Sequence, residues 1–228
     1  TFVVPYILLL FLLTRYYQTV HGNEAYLTHT LPTDAKTIYG VKFTNAALWL
    51  GFTTVIEIAC VMLVVNGWVS PEGRSVWTLL SRIFEPIPLA FVVVGIVALI
   101  VFGTLQYVAL GFFSVTVGSN AFGRTHDLLG IIATYLVTSF ALGLFNLFGM
   151  LFIPFGIAFP NQGKINAESL RNMHFVGRGM AQDFARLFEG YQGDPEVFGL
   201  GFFVTSLISI VVLSWFTKKK LATQLRLK

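Results

Sequence analysis

Few side chains in this sequence are placed to do chemistry, and one of them stands apart. Glu57, in Thr53-Thr-Val-Ile-Glu-Ile-Ala-Cys60, is the only carboxylate inside a long apolar run. A charge at the centre of a bilayer costs about 3 kcal/mol or more, so Glu57 is expected to face protein or water. It could line a substrate path or move a proton. Equally it could be structural, either protonated or bonded to Thr53, Thr54 or a neighbouring helix. No second acid or histidine shares its run, which counts against a proton relay. The histidines His21, His29, His126 and His174 lie in separate polar segments. None has a Cys, Asp or Glu at ligand spacing on one helix face, so no metal site is expected. Cys60 is the sole cysteine, which excludes a disulfide framework. Gly118 and Gly123 are not followed by Lys-Ser/Thr, and Gly163-Lys164 lacks the glycine five positions earlier, where Ala158 stands. The chain therefore has no phosphate-cradling loop of its own, no catalytic constellation and no expected cofactor.

The elements that must carry these residues are apolar. Of 228 residues, 55% are apolar and only 11% charged, against about 25% charged in soluble domains. The mean hydropathy is +0.74. A bilayer core about 30 Å thick takes roughly 20 helical residues to cross. Five segments meet that length: 2–20, 43–65, 87–113, 128–153 and 198–217. None alternates as barrel strands do, so the expected fold is all-α, a polytopic transmembrane helical bundle forming a single domain over 1–228. The glycines within these runs suit close helix approach in a membrane. The net charge of +4 is no nucleic-acid signal, because the basic residues cluster at the ends of apolar runs.

Lys and Arg also orient the chain. The tail 217–228 carries five basic residues and no acid, which places the C-terminus in the cytoplasm. Counting back puts segments 21–42 and 114–127 inside, and 66–86 and 154–197 outside. With Arg15 inside, the inner side holds nine basic and three acidic residues, the outer side six and seven. Thr1 then falls outside, so a further upstream helix, making six spans, is expected in the native subunit.

Three polar segments have internal organisation. In 22–34, Asn23 is a good helix N-cap and Glu24 suits the positive end of the helix dipole. Leu27 and Leu31 are four apart, with Tyr26 and Thr30 beside them, and Pro32 ends the element. The pattern reads as a short helix across the cytoplasmic face, after which Thr33 or Asp34 caps the next long helix. The segment 114–126 is rich in small residues. In the outer segment 165–191, Leu170, Met173, Met180, Phe184 and Leu187 recur at helical spacing from Ala167 to Tyr191, predicting an amphipathic helix with that face buried.

Asn23–Leu50, "NEAYLTHTLPTDAKTIYGVKFTNAALWL", resembles the motif of membrane-spanning permease subunits of bacterial ATP-binding-cassette exporters of the type 2 class. Those carry Gly/Ala-Tyr-Leu-x-x-Thr-Leu-Pro followed by a Lys, which here reads Ala25-Tyr26-Leu27, Thr30-Leu31-Pro32 and Lys42. Phe112–Gly130 and the basic end are weaker echoes, and the ending departs from the family's Lys-Leu-Asn-Leu. The resemblance implies that Asn23, Glu24, Tyr26, Leu27, Thr30, Leu31 and Pro32 form the coupling helix that touches separate ATPase subunits. ATP and Mg would be bound by those partners. It also implies a second permease chain, identical or related, an amphipathic substrate such as an antimicrobial peptide, drug or lipid, and residence in the bacterial plasma membrane. The rival expectation is a non-transporting membrane scaffold subunit of a larger complex. Matching 23–31 to the coupling helix makes the first span here the family's second, which again calls for an upstream helix. The intact mass of the native subunit should therefore exceed 25.3 kDa; equality would contradict this expectation.

Overall fold

The computed structural model describes residues 3–22, 34–69, 89–119, 127–158, 174–188 and 197–226. These form six α-helices and three short strands: α1 Val4–Val20, α2 Ala35–Val69, α3 Leu89–Gly118, α4 Asp127–Phe152, β1 Gly156–Ala158, β2 His174–Val176, α5 Ala181–Phe188, β3 Val197–Gly199 and α6 Gly201–Arg226. Four helices contain stretches long and apolar enough to cross a membrane: Lys36–Trp68, Val93–Gly118, Asp127–Phe152 and Gly201–Thr223. Their exposed faces are apolar, with Leu48, Phe52, Val97, Val137, Phe140 and Val211 each about half exposed or more. This is the surface of a membrane protein, since hydrocarbon rather than water is the medium such faces suit. Of the five expected spans, the first corresponds to α1, whose 17 residues reach about 26 Å, short of a 30 Å core.

The helix ends follow local rules. Pro5 falls in the first turn of α1, where its missing N–H costs nothing. At the other end the amides of His21 and Gly22 both donate to the Tyr17 carbonyl, at 2.8 and 2.9 Å, closing the helix. The Asp34 carbonyl accepts from Thr37 and Ile38, so Asp34 does cap α2, which starts at Ala35, eight residues before the expected span. Asp127 in the first turn of α4 suits the dipole there. The expected small-residue loop from 114 onward is corrected: Ser114–Gly118 continue α3. Ser114 is buried and satisfies its hydroxyl on the Leu110 carbonyl at 2.7 Å, so burial there leaves nothing unpaired. The tail also differs from a loose basic end, since α6 runs through the lysines and Leu221 is 1% exposed.

Contacts divide the chain into two units, one of Thr1–Cys60, Ile100–Leu142 and Ile208–Lys228, the other of Val61–Leu99 and Gly143–Leu207. Within the second unit, α4 and α6 touch by backbone. A Cβ on Gly149 would strike the Thr205 side chain, and one on Gly201 would strike the Gly149 carbonyl. The Thr205 hydroxyl donates to Asn146 Oδ1 at 2.8 Å beside this contact. Small residues plus an interhelical hydrogen bond are how membrane helices associate without a hydrophobic drive between them.

The continuous amphipathic helix expected over Ala167–Tyr191 is overturned by the structure. His174–Val176 is a strand antiparallel to β1, which pairs on its other edge with β3, giving the order β2-β1-β3. Among the described residues of this segment only Ala181–Phe188 are helical, and the faces differ from expectation: Phe184 is 42% exposed while Asp183 is 5%. The reason is a hydrogen bond. β3 is an edge strand, and its Val197 amide donates to Asp183 Oδ2 at 2.9 Å. Arg178 and Arg186 stand 3.9 Å from the same carboxylate and offset its charge. The carboxylate therefore turns inward and the phenyl ring outward. Asp183→Ala should lower stability by about 1–3 kcal/mol by stranding the Val197 amide, while Phe184→Ala should change it by less than about 1 kcal/mol. Thermal unfolding in detergent ranks the two, and the reverse order would refute this packing.

Candidate functional site

Asn23, Glu24, Tyr26, Leu27, Thr30, Leu31 and Pro32 lie outside the described residues. Both flanks of that segment are described, and they converge. The contacts that follow lie within the first unit. Tyr16, one turn before the end of α1, is 2% exposed and stacks on Phe112 of α3, with ring centroids 4.1 Å apart and planes at 10°. Tyr39, in the first turns of α2, is also 2% exposed and meets the edge of Phe112 at 5.9 Å. Phe43, one turn on, stacks against Tyr39 and packs edge-on to Phe112. Four rings from three helices thus share one centre.

Each buried tyrosine has a partner for its hydroxyl, as buried phenols require. Tyr16 Oη lies 3.0 Å from Thr116 Oγ1 on α3, and Tyr39 donates to Ser214 Oγ on α6 at 3.0 Å. Tyr17 donates to Asp127 Oδ2 at the start of α4, at 2.7 Å. Lys42 Nζ donates to Thr19 Oγ1 at 2.8 Å, joining α2 directly to α1. Lys218 sits 5.2 Å over the Tyr39 ring, a cation–π contact from α6. Gly118 completes the junction: a Cβ there would lie 2.6 Å from the Gly130 carbonyl oxygen and from Ile131 Cα, so only glycine lets α3 meet α4 this closely. Five helices are tied at one level, beside the ends of the 21–34 connection.

Glu57 is placed elsewhere. It lies fifteen residues beyond Lys42 on α2, about 22 Å along the axis. Of the alternatives for it, bonds from Thr53 and Thr54 are not what the structure shows: those hydroxyls donate to the carbonyls of Trp49 and Leu50, both at 2.8 Å. Glu57 Oε1 is buried and has no hydrogen-bond partner among the described residues. Glu57 therefore lies well along α2 from the described end of the connection at Asp34. Among the described residues no group of three His, Cys, Asp or Glu could hold a metal ion.

Compared with known proteins, the chain matches no family model, no curated protein and no solved structure. The function must be argued from the arrangement itself.

Tyr16, Tyr39, Thr116, Asp127 and Ser214 were not singled out by sequence reasoning. Their bonds span 100 residues for Tyr16–Thr116 and 175 for Tyr39–Ser214, so no local spacing reports them. One signal was available: phenols in apolar helices must find partners, and both stand close to helix ends facing the same connection. Since ring burial outweighs one hydrogen bond here, Tyr16→Ala should cost about 3–5 kcal/mol and Tyr16→Phe about 1 kcal/mol. Thermal unfolding of the detergent-solubilised protein checks this, and a Phe variant as unstable as the Ala variant would contradict it.

Proposed function

We propose that this chain is the permease subunit of an ATP-driven exporter of the type 2 ATP-binding-cassette class. On this reading α1 is a fifth span, the C-terminus is cytoplasmic and the membrane is the bacterial plasma membrane. Two permease chains, identical or related, form a path for an amphipathic substrate. Separate ATPase subunits bind ATP and Mg and supply the work.

The observation that carries the reading is the anchoring of both ends of the 21–34 connection. A chain without a nucleotide site of its own must receive work by contact, and a short amphipathic helix seated in a partner's groove is one way to make contact. Such a helix transmits a push only if its ends are fixed to the elements that must move. Here α1 and α2 are joined by the Lys42–Thr19 bond and by the Tyr16–Phe112–Tyr39 stack, within about two turns of the connection. The same cluster reaches α4 through Asp127 and α6 through Ser214. Displacement of the connection would therefore be felt by all five long helices rather than absorbed in slack. The Tyr-Leu-x-x-Thr-Leu-Pro resemblance points to the same segment independently of these contacts.

Leu27→Asp and Tyr26→Asp place a charge on the proposed apolar contact face. Each should leave the subunit inserted in the membrane but weaken retention of its ATPase about thirtyfold, as loss of a hot-spot contact worth about 2 kcal/mol does. Co-purification together with substrate-stimulated ATP hydrolysis measures this. If both variants keep partner and stimulation, the segment is only a turn, and a membrane scaffold subunit becomes the better reading.

A further inference from the structure

A cleft of about 250 Å³ lies in the first unit, between faces of α1 and α2. On α1 it is lined at positions 12, 15, 16 and 19, and on α2 at 42, 45 and 46, the spacings that put side chains on one helix face. Its described lining holds two cations, Arg15 and Lys42, and no carboxylate. Asn45 adds an amide with two N–H donors on the same wall. The floor includes the buried rings of Tyr16 and Phe112. Arg15 lies about 8 Å along α1 from its end at Val20, and Lys42 about 10 Å along α2 from its start at Ala35. The cations are therefore near one end of both helices. Directly beside them the same helices expose apolar side chains, Leu10 at 64% and Phe11 at 58% on α1, Val41 at 66% on α2.

We infer that this cleft is a binding site for the phosphate of an anionic phospholipid. A guanidinium offers a planar fork that fits phosphate oxygens, and an ammonium adds a point charge. Basic pockets between membrane helices at the headgroup level suit such groups. A free phosphate shares the headgroup chemistry but has no use for the apolar floor or the exposed apolar rim, whereas acyl chains would lie on both. The lipid would be a fixed part of the unit at the place where α1 and α2 are tied, since Lys42 in its wall also holds Thr19. The inference does not depend on the exporter reading; it needs only that the helices sit in a bilayer.

Native mass spectrometry of the full-length subunit, delipidated in detergent and titrated with phosphatidylglycerol, tests it. One lipid should bind per chain, and phosphatidylcholine should bind at least about tenfold more weakly for want of a net negative charge. Arg15→Gln with Lys42→Gln should weaken phosphatidylglycerol about thirtyfold, while Arg15→Lys with Lys42→Arg should keep it. Equal binding of the two lipids by the wild-type chain overturns charge recognition, and that comparison stands even if the Gln variant does not fold. Unchanged binding in a folded Gln variant overturns the site. Inorganic phosphate should fail to displace the lipid; displacement by phosphate alone overturns the lipid as the occupant.

Discussion

Phe112 is the residue on which the first unit is built. Tyr16 stacks on its ring, Tyr39 and Phe43 meet it in T-shaped contacts, and the phenol groups around it are bonded to Thr116 and Ser214. Aromatic pairs in these geometries contribute about 0.5–1.5 kcal/mol each beyond the area they bury. The greater constraint is polar. A phenol taken out of water must find a partner, and in a membrane helix no solvent is at hand to supply one. Placing Tyr16 and Tyr39 around Phe112 therefore forces α3 to present Thr116 and α6 to present Ser214 at the same level. The rest of the unit follows from that demand.

The two units hold their helices together with overlapping means. The first relies on stacked rings, on long hydrogen bonds reaching across the chain and on one close backbone approach at Gly118. The second relies on backbone proximity, with Gly149 and Gly201 in contact, Asn146 bonded to Thr205, and a small sheet fastened by Asp183. Aromatic side chains with polar tips can carry load at a distance from the backbone. Glycine contacts cannot shift without losing the fit that made them.

Much of the helical framework was legible in the sequence, because apolar runs of bilayer length have few other uses. The ends were less so. The start of α2 after Asp34 was legible from its cap, but α6 runs to Arg226, beyond its apolar run, where Leu221 is buried in the core. Its packing partners are not local, so that extension does not show in hydropathy. The outer segment misled more seriously. Met180, Phe184 and Leu187 do recur at helical spacing, but His174–Val176 is claimed by pairing with Gly156–Ala158, and Asp183 is claimed by the Val197 amide. Periodicity reports which face a helix would bury if nothing else competed; here a strand edge competed and won. Glu57 was legible as exceptional, though not its surroundings, since Thr53 and Thr54 satisfy themselves on their own helix. The proposed coupling residues 23–32 stand on sequence alone, and the structure contributes the fixed ends between which they run.

The central claim is that this chain passes work from a separate ATPase to a membrane bundle. The most direct measurement purifies the tagged subunit from its native membrane, identifies any ATPase that accompanies it, and compares that ATPase's hydrolysis rate with and without the subunit. The account predicts a stoichiometric ATPase whose rate depends on the subunit and responds to an amphipathic substrate. A subunit purified in stable complexes that contain no ATPase, or an ATPase indifferent to its presence, would contradict it.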